Sequence, residues 1–204
     1  ALAEELGFAF YDKELIDIAA QKENIPFDVL AKVDEKRGSQ WRFPIDHELQ
    51  MDSDFHFVPM NDVLFDLQRK IILDAAEKED CVIVGRCANY ILDNKCLSVF
   101  IHAPFDYRVQ TIIERTGREE KSAQKLVKKV DKERRTYYEY FTDKKWKDIS
   151  QYHLAFDSSK FDQDTIVKMI KMALWIANKK QVRIRTCFLF VQHILFQEII
   201  DLIF

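Results

Sequence analysis

Two short apolar runs, Cys81-Val82-Ile83-Val84 and Leu97-Ser98-Val99-Phe100-Ile101-His102-Ala103, limit what this chain can fold into. Near-continuous β-branched runs, rather than alternating ones, mark strands buried on both faces, as in a parallel sheet covered by helices. Residues 88–92 between them read as a short helix. Ahead of them, Leu64, Leu67, Ile71 and Ala75 fall on one face of a helix that Asn61 or Asp62 can cap and that runs to about Lys78. Helix, strand, short helix, strand is the alternation of an α/β fold, a parallel sheet flanked by helices. The first run ends in Gly85-Arg86, so a buried strand delivers a cation to the carboxyl edge of the sheet. Ligands of open α/β sheets bind at that edge.

The rest of the chain extends the pattern. Residues 1–7 read as the last turns of a helix stopped by Gly7, followed by a short strand, Phe8-Ala9-Phe10-Tyr11, and by Asp12. Residues 13–33 are helical in pattern with a break near Pro26, and the periodicity dissolves over 34–61, where Trp41, Phe43, Phe55 and Phe57 are expected to close a local cluster. Pro104 opens a helix to Arg115 that Gly117 stops, Ser122 is expected to cap another through about Tyr140, and a strand over 153–157 precedes a helix over 162–176. The alternating Val182-Arg183-Ile184-Arg185-Thr186 run suits a strand. Residues 188–204 are apolar but broken too often by Gln192, His193, Gln197, Glu198 and Asp201 to read as a membrane span.

The overall charge of -3 hides a gradient: residues 1–80 carry a net -10 and residues 105–148 a net +4. A basic segment on an acidic chain suits a local anion site, whereas a nucleic-acid binder is more often basic throughout. Arg108, Ile112 and Arg115 share one helix face, and Lys125, Lys128, Lys132 and Arg135 form a stripe on the next helix, with Asp131 four residues before Arg135. Arginine grips phosphate oxygens bidentately, which suits a site handling a phosphoryl group; a solvated helical face is the plainer alternative. The four cysteines show no metal-ligand spacing, and reduced thiols in a cytoplasmic protein with no secretory signal are expected.

Several stretches, taken in order, resemble the cytidylate kinase-like family of nucleoside monophosphate kinases over about residues 1–171. They are Leu2-Ala3-Glu4-Glu5-Leu6-Gly7 with Phe10-Tyr11-Asp12-Lys13-Glu14-Leu15-Ile16; Cys81-Val82-Ile83-Val84-Gly85-Arg86-Cys87-Ala88; Phe100-Ile101-His102-Ala103; Lys129-Val130-Asp131-Lys132-Glu133-Arg134-Arg135-Thr136-Tyr137-Tyr138; and Phe156-Asp157-Ser158-Ser159. The resemblance implies a P-loop, three-layer α/β/α architecture with a helical lid over 105–141, an acceptor region over 34–61, and an apolar tail over 172–204 outside the family domain. It implies ATP- and Mg2+-dependent phosphoryl transfer to a nucleoside monophosphate, with nucleotides as partners and neither nucleic acid nor membrane. By analogy Gly85, Arg86 and Asp131 bind the acceptor side, and Arg108 and Arg115 flank the donor. Arg134 and Arg135, with Arg115, neutralise charge as the lid closes. Asp12 either holds a magnesium-bound water or caps the next helix; no residue is assigned as a direct metal ligand.

Two departures set further expectations. The cytidylate kinases proper have Gly-Arg-Asp after this strand, where Cys87 stands here, so their cytosine-contacting acid has no counterpart at that position. The four glycines, Gly7, Gly38, Gly85 and Gly117, also build no G-x-x-x-x-G-K-[ST] loop. On the family's pattern a first strand and loop of roughly 15–25 residues is expected to be absent. That strand belongs between the strands at 82–85 and 97–103, and the 182–190 run is the one spare segment to fill the gap. The chain is accordingly expected not to turn over; a non-catalytic nucleotide-binding or interaction module on the same scaffold is the rival reading.

Overall fold

The structure is a computed structural model, and it describes residues 2–12, 60–179 and 186–191. The helical pattern over 13–33, the aromatic residues of 34–61 and most of the apolar tail lie outside the described residues.

Five strands form one sheet in the order β1-β2-β5-β3-β4, with every pairing parallel. They are β1 (Ala9–Tyr11), β2 (Cys81–Val84), β3 (Cys96–His102), β4 (Leu154–Asp157) and β5 (Thr186–Val191). The helices are α1 (Leu2–Leu6), α2 (Met60–Lys78), α3 (Ala88–Leu92), α4 (Phe105–Thr116), α5 (Glu120–Thr142) and α6 (Gln163–Lys179). The expected α/β fold is present.

Successive strand residues point to opposite faces, and this builds three layers. On β2, Cys81 and Ile83 join a core with Leu64, Ile71 and Ile72 of α2, Ala88 and Leu92 of α3, and Tyr137 and Tyr138 of α5. Val82 and Val84 face the other way, with Leu97, Val99 and Ile101 of β3, into a core closed by Leu2 of α1 and by Ile166, Val167 and Ile170 of α6. Each such side chain taken fully out of water contributes about 1.5–3 kcal/mol, so burial on both faces is what fixes β2 and β3.

Several boundaries differ from the sequence reading. Helix α5 begins at Glu120 behind Glu119 rather than at a Ser122 cap. Helix α6 runs from Gln163 to Lys179, a little beyond the expected 162–176, with Ile166, Val167, Ile170 and Leu174 as its buried stripe. Gly117 does end α4: it takes φ 64, which costs glycine nothing, and its N–H donates to the Ile113 carbonyl.

The centre of the sheet is occupied. Strand β5 lies between β2 and β3, with Cys81 and Cys96 both opposite Thr186, and Val84 and Val99 both opposite Leu189. The segment expected as the spare strand therefore fills the gap over 186–191, while residues 182–185 lie outside the described set.

Candidate functional site

At the carboxyl edge, β1 ends in Asp12 and the neighbouring β2 ends in Gly85-Arg86-Cys87. Asp12 is 4% and Arg86 2% exposed, so two opposite charges are buried at adjacent strand ends. Taking a guanidinium out of water is costly, and such charges persist where something compensates them. The backbone there is also strained. Gly85, Arg86 and Cys87 have φ 76, 57 and 54, three consecutive residues in the left-handed region. For the two non-glycine residues this costs about 1–2 kcal/mol each. The turn lets the chain pass from β2 into α3 at once, with the Ala88 N–H donating to the Gly85 carbonyl at 3.2 Å. Strain of this kind concentrates at binding and catalytic sites.

Helix α5 reaches this edge through its tyrosines. The Asn89 amide of α3 donates to the Tyr138 hydroxyl at 3.0 Å, and that hydroxyl donates to Gln151 Oε1 at 3.0 Å. The Tyr137 hydroxyl donates to Gln68 Oε1 of α2 at 3.2 Å. Burial pushes the Tyr138 phenol above its ordinary value, so it stays a neutral donor. Arg134 lies one turn before Tyr138 on the same helix face and is 9% exposed. Since Asn89 follows Arg86 by three residues, the Asn89–Tyr138 bond draws the Arg134 face of α5 towards the end of β2.

Arg108 has a different setting. Its Nη1 and Nη2 donate to Asp131 Oδ1 and Oδ2 at 2.7 and 3.0 Å, and its Nε donates to the Ala103 carbonyl at 3.1 Å. The side chain is buried and ties α4 to α5 and to the chain just past β3. Sequence reading set Arg108 beside the donor and Asp131 beside the acceptor; the structure pairs them with each other. Val109 and Ile112 of α4 pack on Ala123 and Val127 of α5, so the hairpin carries its own small core.

Arg115 and Arg135 are exposed. Arg115 is about 16 Å from Pro104 along the axis of α4, at 1.5 Å per residue. Arg135 lines an open groove of about 590 Å³ with Glu139, Asp143, Lys144, Lys145 and Lys147, where acids and cations alternate. The structure thus sets Asp12, Gly85 and Arg86 at one end of the sheet, buries Arg134 one turn from the Tyr138 that bonds Asn89, joins Arg108 to Asp131, and leaves the side chains of Arg115 and Arg135 exposed.

Sequence reading assigned no role to the other side of the same edge. His102 ends β3 opposite Asp157 of β4, and its carbonyl accepts from the Ser158 N–H at 2.8 Å. Asp157 Oδ1 accepts from the Ser159 hydroxyl at 2.7 Å and the Ser159 N–H at 2.9 Å, which holds its carboxyl below the usual aspartate value. The ends of two adjacent strands were the signal that could have found this pair.

For a magnesium ion, the described residues contain no group of three or more His, Cys, Asp or Glu side chains. Magnesium is commonly held by one or two carboxylates plus phosphate oxygens, so Asp12 suits such a role. Asp12 and Asp157 lie at the ends of opposite edge strands, about 19 Å apart at 4.8 Å per strand, and do not share an ion. A triphosphate fits less well. Arg86 and Arg134 supply charge, but the 204 residues contain no phosphate-loop pattern to supply a backbone N–H cradle. Among the described residues no helix is long and apolar enough to cross a membrane.

Residues 1–160 match the profile of the cytidylate kinase-like family. The cytidylate kinase of Methanococcoides burtonii is 31% identical over 117 residues, 57% of this chain and 65% of that protein. The cytidylate kinase of Pyrococcus furiosus is 29% identical over 104 residues, 50% of this chain and 53% of that protein. The chain thus spans roughly half to two thirds of the length of these relatives. The crystal structure of an uncharacterized protein from Eubacterium ventriosum superposes with a TM-score of 0.60 at 30% identity, over 84% of this chain and 85% of that one.

Proposed function

We propose a function on one premise: the chain belongs to the cytidylate kinase-like family. Its carboxyl-edge site binds the phosphate of a nucleoside monophosphate, the acceptor in ATP- and magnesium-dependent phosphoryl transfer. The observation that carries this reading is Arg86, buried at the end of a buried parallel strand and held there in a strained left-handed turn.

Arg86 offers a fork of fixed donors to two phosphate oxygens, and Arg134 adds a second positive charge from α5. Gly85 removes a side chain where the phosphate would approach the backbone. Asp12 would hold a water of a magnesium ion brought by nucleotide. The Arg108–Asp131 pair positions the α4–α5 hairpin over the edge without touching nucleotide. Arg115 and Arg135 reach a bound ligand only when that hairpin moves inward, and there they neutralise charge. Cys87 replaces the acid that would select cytosine, so discrimination between CMP, UMP and AMP is weak.

The 204 residues themselves bind acceptor without turning over, because they contain no phosphate loop. Incubation with ATP, magnesium and each nucleoside monophosphate is therefore expected to yield no ADP above a protein-free control. Sustained, protein-dependent ADP production would overturn this part of the reading. Equilibrium dialysis under the same conditions should still retain CMP; a chain that neither retains CMP nor makes ADP would overturn the acceptor site as well.

A further inference from the structure

Strands β1 to β4 lie within residues 1–160, the part that matches the family, whereas β5 lies outside it. Yet β5 holds the middle of the sheet. It pairs with β2 from Cys81↔Thr186 to Val84↔Leu189, and with β3 from Cys96↔Thr186 to Ile101↔Val191. In the sheet order β2 and β3 are not neighbours, so the inner edges of both are completed by a segment from beyond the family match.

We infer that the space between β2 and β3 is a strand-acceptor site, and that Thr186–Val191 is the peptide docked in it. The site takes an extended segment of about six residues, parallel to both walls, paired with β3 along its whole length and with β2 over Thr186–Leu189. Its ligand must be uncharged and free of proline. The walls are fully buried, with Cys81 and Ile83 on one face and Val82 and Val99 on the other, and a charge between them would be stripped of water. A proline would leave a wall carbonyl without a donor. Thr186-Cys187-Phe188-Leu189-Phe190-Val191 meets both conditions, and the charged residues Arg183 and Arg185 fall before the strand begins. Residues 180–185 tether the segment to α6, so the recognition resides in the ladder and the same peptide should dock from solution when the tethered copy cannot.

Hydrogen exchange on the full chain tests this first. Amides of 186–191, bonded between two strands, should exchange at least tenfold more slowly than those of the edge strand Ala9–Tyr11; equal rates would overturn the inference. The second test uses a full-length Leu189→Pro variant and a fluorescent peptide spanning residues 180–192. Wild type, with its site filled, should ignore the peptide. The variant should bind it and regain slow exchange over 97–101, and a scrambled peptide should do neither. Wild-type protection in the variant without peptide, or equal binding of the scrambled sequence, would overturn the inference. Should the variant not fold, the wild-type exchange rates decide.

Discussion

Arg108 and Asp131 meet through two parallel hydrogen bonds of 2.7 and 3.0 Å, one helix to the next, 23 residues apart in the chain. The pair is largely out of solvent, with side chains 4% and 18% exposed. Together with the bond from Arg108 to the Ala103 carbonyl, it clamps the base of the hairpin to the end of β3. The hairpin is thus a braced unit with its own core.

Removing one member of a buried pair leaves the other charge uncompensated, which costs about 3–5 kcal/mol. Asp131→Ala should therefore lower unfolding stability by about 3 kcal/mol, the lower end reflecting the partial exposure of Asp131. Urea denaturation measures the loss, and hydrogen exchange should show amides of 105–130 loosening more than those of β3. A loss below about 1 kcal/mol with unchanged exchange would show the pair to be incidental.

Ser159 supplies the two hydrogen bonds that depress the Asp157 carboxyl, its side-chain bond being the largest cause. A carboxyl depressed in the folded state contributes stability that is full above the ordinary aspartate value, near ~3.9, and lost as pH falls through the folded value. Ser159→Ala should raise the Asp157 value and move the onset of acid unfolding to higher pH. Carbon-13 NMR titration of the carboxyl reads the first effect directly. An unchanged Asp157 titration would contradict the assignment.

Cys81, Cys87 and Cys96 are buried free thiols, and burial pushes Cys96 up to about 12. Since only the thiolate reacts, native protein at pH 8 should label at these three positions far more slowly than in urea. Peptide-mapped mass spectrometry after brief iodoacetamide exposure measures this. Rapid native labelling at Cys96 would show that β3 opens readily at its first residue.

The fold was legible where local pattern and burial agree. Two β-branched runs separated by a short helix are enough to predict β2, β3 and the parallel sheet, because strands buried on both faces must be apolar throughout. The places of Gly85 and Arg86 were legible for the same reason, since they follow β2, and that of Asp12 because it follows the short strand read at 8–11. Arg108 was seen as one cation on a basic face, but its partner lies on another helix, and spacing within one helix does not encode a contact between two. The hairpin core was overlooked because Val109 and Ile112 make a narrow stripe on α4 and only Ala123 and Val127 complete it. The left-handed turn at Arg86 and Cys87 had no local signal, since neither residue favours positive φ. The place of Thr186–Val191 was foreseeable only from the sheet as a whole: the alternation over 182–186 suggested a strand in this stretch, and the gap between β2 and β3 supplied the position.

Calorimetric titration with CMP and with cytidine, on wild type and on Arg86→Ala, tests the central claim most directly. The phosphate is the only difference between the two ligands, and Arg86 is the group assigned to it. Wild type should bind CMP at least tenfold more tightly than cytidine, a difference of about 1.4 kcal/mol or more. Arg86→Ala should erase that preference in a variant that still folds, as its circular dichroism spectrum would show. Equal affinity of wild type for the two ligands, or a variant that keeps the preference, would contradict the account.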